Sequence, residues 1–189
     1  NTDFTWNWLY WPGRGDMRPY MHVIRTLRPN INVDSEPSYV KFIFMDNYVI
    51  NVYPSKPENY NGSALISEYP EFSKAVKTCA ALRKVYLDYF IDGIMVSDCP
   101  VDMDQGVPCR ITGYQKEDSV LLIVYKYNDD TVQLPLELAD YLSGEKFNYR
   151  ICDEENKVIG TGCVEANGML SLAGKKDALY MIELSAGEG

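Results

Sequence analysis

The hydrophobic pattern of this chain changes near Cys99, and that change limits what it can fold into. Upstream, short apolar runs alternate with stretches of helical period. Downstream, apolar runs are separated only by turns. Strand and helix alternating about three times is the pattern of parallel β/α units. Closely spaced strands with turn residues between them point to an antiparallel sheet.

In the first part, Phe4 to Tyr10 reads as an aromatic-rich strand broken by Pro12, Gly13 and Gly15. Asp16 suits the cap of a helix with Met17, Tyr20, Met21, Ile24 and Leu27 at helical spacing, ended by Pro29. Ile31 to Asp34 is a short strand. Ser35 suits a second cap, with Pro37 in the first turn and Val40, Ile43 and Phe44 on one face. "YVINVY" (48–53) is a third strand, and "ALI" (64–66) a further short extended segment. The strongest helix is "PEFSKAVKTCAALRKVYLDYFID" (70–92). Pro70 and Glu71 suit its start, and Gly93 suits the residue after its end. Phe72, Ala75, Val76, Cys79, Leu82, Tyr86, Tyr89 and Phe90 form its apolar stripe.

"DCPVDMDQGVPC" connects to the second part. "SVLLIVYKY" (119–127) is apolar on both faces, which requires a central strand. "NDD" turns the chain before "TVQLPLEL", and "ELADYLSG" (137–144) reads as a helical turn or loop. "FNYRICD" and "KVIGTGCVE" flank "EEN" as a hairpin. Asn167-Gly168 marks a turn before "MLSLA", and "DALYMIEL" closes the chain. Six to eight such strands predict an antiparallel β-sandwich over 101–189, after β/α units over 1–100.

The formal net charge is -9 and the pI about 4.6. A surface that neutralises phosphates needs clustered Lys and Arg, and the sequence has no such cluster. Nucleic acid and anionic membranes are therefore excluded as expected partners, whereas neutral substrates are compatible. No apolar run is long enough to span a bilayer. Five cysteines, in no tight spacing, argue against a disulfide framework or a zinc site, and the lone His22 cannot build a histidine-rich one. Metal and cofactor are expected to be absent. A Cys99–Cys109 bridge across the connecting loop is conceivable, although free buried cysteine is common. The start at Asn1 reads as that of a processed, truncated or proteolysed chain.

The order of β/α units, long amphipathic helix and small β-sandwich resembles the C-terminal part of glycoside-hydrolase-like β/α-barrel proteins. "FSKAVKTCAALRKVYLDYFIDG" is similar to the last helix of such a barrel. "YKYNDDTVQLPLEL" and "GMLSLAGKKDALYMIEL" are similar to strands of the all-β domain that follows it. The resemblance covers most of the chain in layout, but about five of the eight β/α units of a whole barrel lie outside it. It implies a carbohydrate-active protein that acts on a neutral oligosaccharide or glycan, in an extracellular or periplasmic setting. It also implies that the N-terminal remainder of the barrel, or a partner chain, completes the site. No family-specific catalytic signature is present, so no catalytic residue is assigned by motif.

Candidate residues follow from position instead. Barrel sites are built at strand C-termini. Glycoside hydrolysis needs two carboxyl groups about 5 to 10 Å apart, one protonated and one ionised. Asp34 and Glu36, at the end of the second strand, are the candidate catalytic pair. A helix start that favours carboxylates explains the same residues. Trp6, Trp8 and Trp11 offer flat faces for stacking on sugar rings, with Arg14 and Asp16 as hydrogen-bonding neighbours. Plain packing of the barrel wall explains the tryptophans as well. Glu68 has a capping explanation. The tripeptide at 14–16 and the glycosylation sequon at 61–63 are too short to assign a function. A non-catalytic carbohydrate-binding or scaffold module is the alternative reading of the whole.

Overall fold

Two strands near the start set the geometry of the first part. β1 (Asn30–Val33) and β2 (Val49–Val52) pair in parallel, with Asn30 opposite Val49 and Val33 opposite Val52. Parallel strands cannot be joined by a tight hairpin, so the chain crosses over through a helix. That helix is α1 (Pro37–Met45), with Pro37 in its first position. Val40, Ile43 and Phe44 are buried, as their spacing predicts. Phe42 and Met45 are buried too, so α1 is enclosed on more than one face. Asn47 closes it at φ 59°, its N–H donating to the Phe44 carbonyl at 3.1 Å. Asn tolerates this left-handed conformation better than most residues.

This description comes from a computed structural model that places residues 30–33, 37–47, 49–52 and 65–186. The chain forms two compact units, Asn1–Arg83 and Lys84–Gly189.

The expected extended segment at 64–66 does not continue through Ile66, which begins a 3-10 turn, Ile66–Glu68. The Glu68 carboxylate accepts a hydrogen bond from the Leu65 N–H at 3.3 Å, which is the capping role. Helix α2 (Pro70–Val85) follows, burying Phe72, Ala75, Cys79 and Leu82. Val76, expected on this stripe, is only half-buried. The predicted helix to Asp92 is also interrupted. Tyr86 leaves helical geometry at φ -103°, and α3 (Leu87–Ile91) resumes after it. From Tyr86 on, three aromatics of the second unit meet that unit's own sheet and its β7–β8 turn. Tyr86 Oη donates to Asn156 Oδ1 at 3.1 Å, and Tyr89 Oη to Ser119 Oγ at 3.0 Å. The Phe90 ring meets Tyr114 edge-on at 5.1 Å. At Gly93 a Cβ would collide with the Tyr89 carbonyl, so the chain can turn into the sheet there only without a side chain.

The sheet has six antiparallel strands in the order β3–β4–β5–β10–β7–β8. They are β3 (Ile94–Ser97), β4 (Cys109–Lys116), β5 (Ser119–Lys126), β7 (Lys146–Cys152), β8 (Val158–Glu165) and β10 (Leu179–Ala186). β5 lies between β4 and β10, and its residues 120–126 are all buried. A central strand covered on both faces has this pattern. β6 (Val132–Pro135) and β9 (Met169–Leu172) leave the sheet and pair with each other. Val120, Leu122 and Val124 of β5, Val132 and Leu134 of β6, and Leu170 and Leu172 of β9 share one apolar cluster with Phe147 and Ile182. Leu121, Ile123 and Tyr125 point to the opposite face, the side of Tyr114 and α3.

Turn chemistry sets the connections. In the β7–β8 hairpin, Asp153 Oδ1 accepts from the N–H groups of Glu155 and Lys157, both at 2.9 Å, and Asn156 sits at φ 59°. After β8, the Gly168 N–H donates to the Glu165 carbonyl at 2.9 Å, turning the chain toward β9. All five cysteines are free, with Cys99 exposed and Cys109 buried, so the conceivable bridge between those two is not formed.

Lys126 is fully buried, and its ammonium donates to the carbonyls of Asp130 at 2.6 Å and Gly174 at 2.7 Å. The side chain thus joins the β5–β6 and β9–β10 connections. Lys126→Met keeps the length but leaves two carbonyls without their donor. We expect a loss of about 1–3 kcal/mol in urea unfolding. An unchanged midpoint would show that the clamp contributes nothing.

Candidate functional site

The parallel pair gives the first unit a defined end. Val33 and Val52 are register partners, so β1 and β2 finish side by side. Parallel β/α sheets build their sites from the segments that follow strand C-termini. In sequence, positions 34–36 join Val33 to Pro37, which puts Asp34 and Glu36 in such a segment. Asp34 and Glu36 themselves lie outside the described residues, as do Trp6, Trp8, Trp11, Arg14, Asp16 and His22. The sequon at 61–63 lies outside them as well.

Within the second unit the polar groups are mostly structural. Arg150 and Glu183 are register partners on β7 and β10. Glu183 Oε2 accepts from Arg150 Nε at 2.9 Å and from Nη2. The pair is partly exposed, so it is worth no more than about 1 kcal/mol. Lys116 and Asp88 form a second surface pair at 3.2 Å. Among the described residues, no three His, Cys, Asp or Glu side chains are grouped to hold a metal ion. No described helix is long and apolar enough to cross a membrane.

A shallow groove of about 190 Å³ is lined by Gly106, Val107, Pro108, Thr131, Val132, Gln133, Pro135 and Met169. It contains no charged side chain, so it offers no group for acid–base work. Sequence reasoning did not find this groove, because β6 and the 3-10 turn Met103–Gln105 are far apart in the chain. Lys126 did leave a signal, as a lone cation inside an apolar strand.

Burial pushes the Cys109 thiol from its ordinary 9.0 up to about 12, with Lys126 opposing the shift. Burial also raises the phenols of Tyr89, Tyr127 and Tyr180. At pH 7 these groups are protonated in native and unfolded chains alike and contribute almost no pH dependence. Above pH 9 the unfolded chain releases the Cys109 proton while the native protein keeps it. The native state then binds more protons, so stability falls as pH rises. Each such group steepens the fall by up to about 1.4 kcal/mol per pH unit. The urea midpoint should be clearly lower at pH 10.5 than at pH 8. Equal midpoints would contradict the burial of Cys109.

No known family model matches the chain, and no curated protein matches it. Solved structures do. The chain superposes on an α-amylase from Geobacillus thermoleovorans, complexed with acarbose, with a TM-score of 0.59 and 13% identity. That match covers 91% of this chain and 43% of the amylase. AmyP in complex with maltose gives 0.53 at 13% identity, covering 92% and 45%. A glycoside hydrolase of family 5 from Bacteroides vulgatus gives 0.51 at 12%, covering 90% and 45%. The structural neighbours are thus glycoside hydrolases, and the chain spans less than half of their length. At this identity the likeness is one of fold.

Proposed function

We propose that this chain is the C-terminal part of a carbohydrate-active β/α-barrel protein that hydrolyses a glycosidic bond, with most catalytic residues outside the 189 residues. In this reading residues 1–100 supply the last β/α units and 101–189 a terminal β-sandwich. One observation supports it above the others. A parallel β–α–β crossover, a long helix and an antiparallel sheet follow one another here, and they superpose in that order along most of the chain on glycoside hydrolases about twice as long. The ligands in those neighbours, acarbose and maltose, suggest a neutral oligosaccharide. The acidic pI agrees with a neutral substrate rather than a polyanion.

Barrel sites draw catalytic groups from the ends of several strands. The proposed roles are therefore divided. Asp34 or Glu36 supplies one carboxyl group beside β1, and a strand outside this chain supplies the other. Trp6, Trp8 and Trp11 stack on sugar rings, while Arg14 and Asp16 hydrogen-bond hydroxyls. An aryl-glycoside panel tests this. The chain alone should release aryl alcohol no faster than buffer, and the chain joined to an upstream barrel portion should hydrolyse at least one substrate. Within that joined protein, Asp34→Asn or Glu36→Gln should lower kcat by about 10²–10⁴-fold. Robust turnover by the 189 residues alone would overturn the division of the site.

A further inference from the structure

One exposed ring stands at the end of the central strand. Tyr127, the residue after β5, is 54% exposed. It is the sole aromatic among the large apolar side chains left open to solvent in the described residues. Its position is fixed from below. Tyr125, only 3% exposed, meets it edge-on, with ring centroids 5.6 Å apart and planes at 71°. Tyr125 Oη donates to Asp177 Oδ1 at 2.9 Å. Asp177 is itself held at φ 56°, and its N–H donates to the Lys126 carbonyl at 2.9 Å. Arg110 is the register partner of Tyr125 across β4 and β5, so its side chain leaves the same face of the sheet. Directly paired residues share a face, and residues two apart on a strand do as well. A half-exposed aromatic ring thus stands on a sheet face that also carries the Arg110 guanidinium and, held on the Tyr125 hydroxyl, the Asp177 carboxylate.

The chemistry of this patch narrows its ligand. A purely apolar partner would desolvate Arg110 and Asp177 without replacing their hydrogen bonds, which is unfavourable. A polyanion would meet Asp129, Asp130 and Asp177 in a chain of net charge -9. A sugar ring offers both things the patch can use. Its C–H face packs on the electron-rich face of a tyrosine, and its rim hydroxyls need both a donor and an acceptor. A ring already held by its neighbours also loses little freedom on binding.

We propose that Tyr127, with Arg110 and Asp177 on the same sheet face, is a stacking platform for one ring of a neutral glycan. The platform deepens the carbohydrate reading and rests on it. It holds glycan without cleaving it.

The test uses the whole chain, isotopically labelled, titrated with maltoheptaose, cellohexaose and xylohexaose while amide shifts are followed. Shifts at Arg110, Tyr125, Tyr127 and Asp177 are expected with at least one glycan. Tyr127→Ala should weaken that binding by about tenfold while its amide spectrum keeps the native dispersion, and Tyr127→Phe should retain it. Shifts confined to the tryptophan indoles, unaffected by Tyr127→Ala, would overturn the platform and leave the carbohydrate reading standing. No shift with any of the three glycans would overturn both.

Discussion

A piece beginning at residue 101 will melt far below a piece beginning at residue 84. Both contain β4 through β10, but only the longer one retains Tyr86, Phe90 and strand β3. Tyr86 is 2% exposed and Phe90 6%, and both rings lie on the sheet face that carries Tyr114 and Leu121. Deleting a buried aromatic typically costs about 3–5 kcal/mol. Losing two approaches the whole stability of an ordinary domain, about 5–15 kcal/mol. Removing β3 also opens the edge of β4, which invites association with other chains. Amide spectra and thermal melts of the two pieces decide the matter. Equal melting temperatures would mean that α3 and β3 are accessories rather than part of the core.

Leu122→Ala will destabilise the protein by about 2–5 kcal/mol, as measured by urea unfolding. Leu122 is fully buried, and its cluster joins the six-stranded sheet to the β6–β9 ribbon. The cavity would open where two layers meet, so neither can close it without shifting the other. Leu121→Ala, on the opposite face and equally buried, should cost a similar amount. A loss below ~1 kcal/mol at Leu122 would mean that the ribbon packs loosely against the sheet.

Much of this architecture was legible because it is written in local periods. The alternation at 31–53 predicted a crossover, and β1 and β2 do pair in parallel around α1. The run 119–127 predicted a central strand because both faces are apolar or aromatic from Val120 to Tyr125. The break at Tyr86 was not legible. The apolar stripe runs on through Tyr89 and Phe90, and the partners of Tyr86 and Tyr89, Asn156 and Ser119, come from distant parts of the chain. β3 escaped notice because "IMVS" is four residues long and directly follows the helix end. The β6–β9 ribbon was hidden for a similar reason, since strand order is a matter of long-range register.

The candidate site divides in the same way. Asp34 and Glu36 could be nominated from their place after a predicted strand, which needs only local pattern. Tyr127 could not, because its neighbours Arg110 and Asp177 come from two other parts of the chain. Arg110 is brought there by the pairing of β4 with β5, and Asp177 by its hydrogen bonds to Tyr125 and Lys126.

The most direct test of the carbohydrate reading uses the protein's own tryptophans. All three lie at positions 6, 8 and 11, among the proposed glycan contacts, so their emission reports on that part of the chain alone. Titration with neutral oligosaccharides should shift and saturate the fluorescence, and an anionic polymer of similar length should leave it unchanged. A spectrum that stays constant through every neutral oligosaccharide would contradict the account.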